Sequence, residues 1–167
     1  YNNEIPWALS QFKALRSSTT KLIANDAMSY SILIEENIDQ DSTYNGLRLF
    51  ANAEKEIEYN NLSLSKQYLD SINTSYLYHP LFDEVLILRA KISILEKNFE
   101  QAKEYLKESL KKYPYELTAD DALYILSDIY LNQTKEISLA KETLEKIIID
   151  YPNSIYVIEA RKLLSEL

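Results

Sequence analysis

Small residues return along this chain at a nearly fixed interval. Ser65, Ala102 and Ala140 stand 37 and 38 residues apart, in the related contexts Leu64-Ser65-Lys66-Gln67-Tyr68-Leu69, Gln101-Ala102-Lys103-Glu104-Tyr105-Leu106 and Leu139-Ala140-Lys141-Glu142-Thr143-Leu144. Upstream of each comes a second small residue, Ala53, Ala90 and Ser127, again 37 apart. A period of this length marks a stack of like supersecondary units, because one unit cannot bury its apolar face alone and leans on the next. A single glycine among 167 residues leaves little material for tight hairpins and suits contiguous helices. The spacing therefore predicts an all-α solenoid of antiparallel helix pairs, about seven to nine helices, in which the small residues let paired backbones approach while Leu69, Leu106 and Leu144 fill the remaining space.

Helix signals place the elements. Pro6 opens a helix from Ile5 to about Arg16 carrying Trp7, Leu9, Phe12 and Leu15. The Ser17-Ser18-Thr19-Thr20 run offers cap hydroxyls for a second, about Thr20 to Ile38, whose apolar stripe is Ile23, Ala27, Tyr30, Ile34 and Ile38. Asp39 to Asn45 reads as a loop. Repeat one then pairs Gly46 to Tyr59 with Ser63 to Ile72, repeat two pairs Leu81 to Glu96 with Glu100 to Lys112, and repeat three pairs Asp120 to Leu131 with Ile137 to Asp150. A closing helix runs from about Ser154 to Glu166. Pro80, Pro114 and Pro152 follow the second helices, since proline cannot continue one, and Thr118 with Asp121 reads as a capping-box variant. The expected organisation is one domain over 1–167, with capping helices in 1–43, repeats in 44–80, 81–117 and 118–153, and a capping helix in 154–167.

These residues resemble the tetratricopeptide repeat family. In repeat two Leu86, Ala90, Phe99, Ala102, Leu106, Ser109 and Pro114 stand at the spacings of its signature; in repeat three Leu123, Leu126, Ser127, Tyr130, Ala140, Leu144, Ile147 and Pro152 do so once one extra residue is allowed in the turn between helices. Repeat one departs from the pattern, with Ser65 for alanine and Glu56 where an aromatic is common. Asp150-Tyr151-Pro152-Asn153-Ser154 leading into Val157-Ile158-Glu159-Ala160-Arg161-Lys162 is similar to the bacterial subgroup that includes outer-membrane assembly lipoproteins, and the C-terminal half resembles repeat regions of Bacteroidetes envelope proteins. The resemblance implies a right-handed superhelical stack whose first helices line a concave groove for a protein or peptide. In that register the groove-lining residues are Leu47, Phe50 and Glu54, then Glu84, Ile87 and Lys91, then Asp121, Tyr124 and Asp128. Four acids beside apolar and aromatic surfaces suit a basic and apolar segment. The plainer account is that Leu47, Phe50 and Ile87 pack between repeats and the acids are solvated.

Other chemistry finds little footing. A net charge of −8 works against nucleic-acid binding, which needs clustered cations. Zero cysteines and one histidine exclude thiol chemistry and multi-histidine metal sites, so no cofactor and no metal are expected. No apolar run reaches the roughly 20 residues of a membrane span. Adjacent acids such as Glu35-Glu36 and Asp120-Asp121 point about 100° apart on a helix and are read as helix-start charges. Most of the fourteen tyrosines are expected to pack in the stack with their hydroxyls toward solvent, Tyr68 and Tyr105, like Tyr113 and Tyr151, holding equivalent positions. Tyr76, Tyr78 and His79 read as an off-pattern loop cluster, with His79 an ordinary loop residue. The chain opens at Tyr1 without an initiator methionine and is expected to be part of a longer protein, with a bacterial envelope location favoured. The leading expectation is a non-catalytic interaction scaffold. The alternative is a structural spacer or self-assembly module whose end helices make contact through Trp7, Phe12 and Leu15 or through Tyr156 and Leu163 to Leu167.

Overall fold

The computed structural model describes residues 4–17, 20–38, 44–76 and 79–167. Ser18, Thr19, most of the loop after Ile38, and Tyr78 lie outside the described residues. Among those described, all regular structure is helical: α1 (Ile5–Leu15), α2 (Lys21–Ile38), α3 (Asn45–Glu58), α4 (Leu62–Ser75), α5 (Phe82–Leu95), α6 (Phe99–Lys112), α7 (Ala119–Asp128) continuing into a π-helical turn (Ile129–Gln133), α8 (Ile137–Asp150) and α9 (Val157–Glu166). The chain forms two compact units, Tyr1–Val85 and Leu86–Leu167. Consecutive helices pack against one another within each, α1 with α2 and α3 with α4 in the first, α6 with α7, α7 with α8 and α8 with α9 in the second. This is the packing plan of a tetratricopeptide-like helical solenoid.

The recurring small residues sit where helices meet. Ala53, Ser65, Ala90, Ala102, Ser127 and Ala140 are each exposed by 1% or less. At the crossing of α3 and α4 the Ser65 hydroxyl donates to the Ala53 carbonyl at 2.8 Å, so serine in place of alanine carries its own satisfied hydrogen bond into the core. Leu69, Leu106 and Leu144 are fully buried.

The turns between paired helices repeat as closely as the helices. After α3 the Asn60 and Asn61 N–H groups donate to Ile57 and Glu56 carbonyls at 2.9 and 2.8 Å, and after α5 the Lys97 and Asn98 N–H groups donate to Ile94 and Ser93 at the same two distances. This double closure satisfies the last carbonyls of a helix and requires one residue in the left-handed region. Asn60, Lys97 and Lys135 supply it, with φ of 59°, 60° and 58°. In repeat three the closing bond runs from Glu136 N–H to Tyr130 O, one residue further than in the other two turns, and Thr134 N–H donates to Ile129 O. The extra residue of that repeat is thus absorbed as a π-turn at the end of α7.

Several expected caps and loops differ in detail. Thr118 makes no side-chain cap bond; Asp120 instead accepts from the Asp121 N–H at 3.0 Å. The segment Pro152 to Tyr156 forms turns, with Ser154 accepting from Val157 N–H, so α9 starts three residues later than the proline alone suggests. His79 is buried. Its Nδ1 accepts from the Leu81 N–H at 3.1 Å, and the Tyr76 ring meets it edge-on at 4.6 Å. The chain's one glycine, Gly46, lies under this ring: a Cβ there would come 2.5 Å from His79 Nε2. The histidine is therefore a packing plug for the start of α3.

In the second unit two polar ties join successive repeats. Lys103 of α6 reaches Glu100 at 2.8 Å and Glu136, ahead of α8, at 2.6 Å. Burial works against its charge, yet the bonds to Glu100 and Glu136 outweigh that and hold its pKa above the ordinary lysine value. Tyr151 donates to the Pro114 carbonyl at 2.6 Å, so its hydroxyl ends on backbone rather than in solvent.

The left-handed turn residues give a direct test. A side chain at φ near +60° costs about 1–2 kcal/mol, partly offset by the greater unfolded-state entropy of glycine. Lys97→Gly is expected to stabilise the chain by about 0.5–1 kcal/mol in guanidinium unfolding.

Candidate functional site

In the first unit a cleft of about 540 Å³ lies between the α1–α2 hairpin and α3. Its existence follows from how little α1 buries: Ile5 is the only buried residue of that helix. Trp7 is 63% exposed and stands in the cleft wall with Phe12, Tyr30, Leu47 and Phe50. Phe12 and Tyr30 stack with centroids 5.1 Å apart and planes 17° from parallel. Leu47 and Phe50, both buried, form the α3 floor.

Polar groups gather at the rim. Glu4, Glu54, Arg48 and Asn52 line it, and the Tyr30 hydroxyl donates to Glu54 Oε1 at 3.2 Å. On the outer side of the hairpin Lys13 pairs with Glu35 at 2.6 Å, and that hydrogen bond leads the causes that hold the Glu35 carboxyl below its ordinary value.

The nine residues expected to line a groove divide between the two units. Leu47, Phe50 and Glu54 come together in the cleft. Glu84, in the first turn of α5, turns inward: its Oε2 is sealed from solvent, and the neighbouring Asp83 is buried. Burial first, then a hydrogen bond and repulsion from Asp83, then repulsion from Glu36, push the Glu84 carboxyl up to about 10. Adjacent acids on a helix thus do meet here, in a buried setting. In the second unit Ile87 belongs to the apolar core, whereas Lys91 and Asp128 are exposed, Asp128 accepting from Asn132 at 2.7 Å. Tyr124 stacks on Tyr156 with centroids 4.2 Å apart, and Tyr156 donates to Asp121 at 2.5 Å. Burial and that carboxylate together raise the Tyr156 pKa. Leu163 and Leu164 pack on the same core, which commits much of the α9 apolar surface internally.

Trp7, Phe12 and Tyr30 are cleft residues that the repeat pattern does not reveal, since they lie before the first repeat. The available signal is the apolar surplus of α1, more than a helix with one buried residue can use.

Residues 43–167 match the outer membrane lipoprotein family designated YfiO. The chain belongs to that family. No curated protein and no solved structure matches it. The family match covers α3 to α9, so the α1–α2 hairpin that completes the cleft lies outside the matched region. Among the described residues no helix is long and apolar enough to cross a membrane, and no group of three or more histidine or acidic side chains could hold a metal ion.

The elevated Glu84 pKa makes stability pH-dependent. The folded chain keeps the proton above the ordinary carboxylate value of 4.5 while the unfolded chain releases it. Stability from this group is full below that value and declines as pH rises toward about 10. Glu84→Gln, which retains the shape without the ionisation, is expected to raise the melting temperature at pH 8 by about 2–4 °C per kcal/mol recovered. The difference from wild type should shrink on approaching pH 4.

Proposed function

We propose that this chain is a non-catalytic interaction scaffold of the bacterial envelope that receives a segment of a partner protein in the cleft between α1, α2 and α3. The observation that carries the reading is the aromatic cleft with carboxylates at its rim. An apolar floor supplies area, and Glu4 and Glu54, against one Arg48, favour a basic residue in the segment. Membership in an outer membrane lipoprotein family supports the envelope location and a role in assembly contacts. The Bacteroidetes-type relationship suggested by the C-terminal sequence is part of the same proposal. Lys91, Asp121, Tyr124 and Asp128 are proposed as a further contact surface of the second unit.

Self-contact remains the second reading. Tyr115, Ile149 and Ile158 of the second unit are among its most exposed large apolar side chains, and apolar surface of this kind is what self-contact would use. Sedimentation across a concentration series separates the two, since a monomer at all concentrations rejects self-assembly.

For the cleft, a photo-crosslinking amino acid at position 52 of the full-length protein, in its native cells, is expected to capture a discrete partner. Glu54→Lys should reduce that product several-fold while leaving the helical circular dichroism unchanged. Capture that is indifferent to both Glu54→Lys and Trp7→Ala would reject the cleft as the binding site.

A further inference from the structure

Resting on the cleft reading above, we infer that the basic residue of the bound segment is an arginine, whose guanidinium lies on the Trp7 indole with its edge toward Glu4. An extended or a helical segment can present that side chain equally well.

The indole and the carboxylate form a pair on one helix. Glu4 is the N-cap of α1 and Trp7 follows three residues later, a spacing at which the side chains of a helix start reach one another. Both line the cleft. Trp7 is 63% exposed. Glu4 is exposed as well and makes no side-chain cap bond, so its carboxylate is not committed to closing the helix start. A second pair of the same kind stands on the α2–α3 side of the cleft, where the Tyr30 hydroxyl donates to Glu54. Twice, then, the lining couples an electron-rich ring with a carboxylate.

Three kinds of side chain could be laid on Trp7, and they differ in what they offer this pair. An apolar one covers the ring but strips water from Glu4 without replacing it, which costs free energy. A lysine meets the carboxylate, yet its ammonium is a compact, strongly hydrated point charge that must shed water to sit on a ring. A guanidinium is planar and weakly hydrated. It lies flat on an aromatic face, best on an indole, while the N–H groups at its edge bond a carboxylate. Arginine therefore answers both members of the pair at once.

The charge of the lining agrees. Arg48 is its one cation and lies on α3, where it donates to Asn45 at 3.4 Å. Against Glu4 and Glu54 it leaves one negative charge in excess, which an incoming arginine balances.

The test is a nuclear magnetic resonance titration of the isotope-labelled intact protein with three aromatic-free decapeptides of leucine, serine and glycine. They differ only in the central residue: arginine, lysine, or citrulline, which is neutral and close to arginine in shape. Amide shifts at Leu47, Ala51 and Asn52 locate binding in the cleft, and the indole N–H of Trp7, the chain's only tryptophan, reports contact with the ring. The arginine peptide is expected to bind at least about threefold more tightly than the lysine peptide and at least about tenfold more tightly than the citrulline peptide. Trp7→Leu, which keeps an apolar side chain in the wall, should bring the arginine and lysine peptides to nearly equal affinity. Glu4→Gln should move the arginine peptide toward the citrulline one. Since both positions are exposed, circular dichroism of each variant is expected to match wild type. Equal binding of the arginine and lysine peptides within the cleft overturns the arginine inference and leaves the cleft reading standing, as does an arginine preference that survives Trp7→Leu. Cleft amides that respond to none of the three peptides at millimolar concentration overturn both.

Discussion

Close approach of paired helices at alanine-sized crossings is the constraint on which the rest of the structure depends. A side chain at Ala53, Ala90 or Ala102 larger than a methyl group would separate backbones whose contact is already complete. The period in the sequence is the trace of that steric requirement. Once the crossings are fixed, the length of each turn is fixed too, and the left-handed residues Asn60, Lys97 and Lys135 recur with the same intervals as the small residues they precede, Ser65, Ala102 and Ala140. Repeat three shows how strongly the crossing dominates. Its additional residue does not shift the partner helix but is taken up as a π-turn, the backbone giving way so that Ser127 and Ala140 stay buried.

The repeats were legible because each is specified several times over. Small pivots, apolar periodicity and the prolines all indicate the same helices, and α8 spans Ile137–Asp150 as the pattern alone implies. Features that depend on contacts between distant residues were not legible. Nothing local marks His79 as the group that fills the space above Gly46, nor Tyr151 as the donor to the Pro114 carbonyl. Asp83 and Glu84 look like ordinary first-turn acids; burial, which no local pattern marks, is what chiefly raises the Glu84 carboxyl. The cleft escapes for a related reason. Leu47, Phe50 and Glu54 can be placed by repeat register, whereas Trp7, Phe12 and Tyr30 sit on a hairpin that follows no register and whose position is set by tertiary packing.

That hairpin also lies outside the part of the chain that the family match covers. The family match covers 43–167, the part built on the repeat, and the aromatic side of the cleft comes from what precedes it. The matched region supplies Leu47 and Phe50 of the cleft, and the preceding hairpin supplies Trp7, Phe12 and Tyr30. Of the residues of α1, Ile5 alone is buried, so the helix stands at the edge of the cleft with much of its apolar surface exposed.

The steric claim is tested most directly by guanidinium unfolding of Ala102→Leu beside Ala14→Leu, the same substitution at a crossing and on an exposed face. The account predicts a loss of about 1–3 kcal/mol at the crossing and a change within about 0.5 kcal/mol on the surface. An Ala102→Leu chain that unfolds at the wild-type denaturant concentration would contradict it.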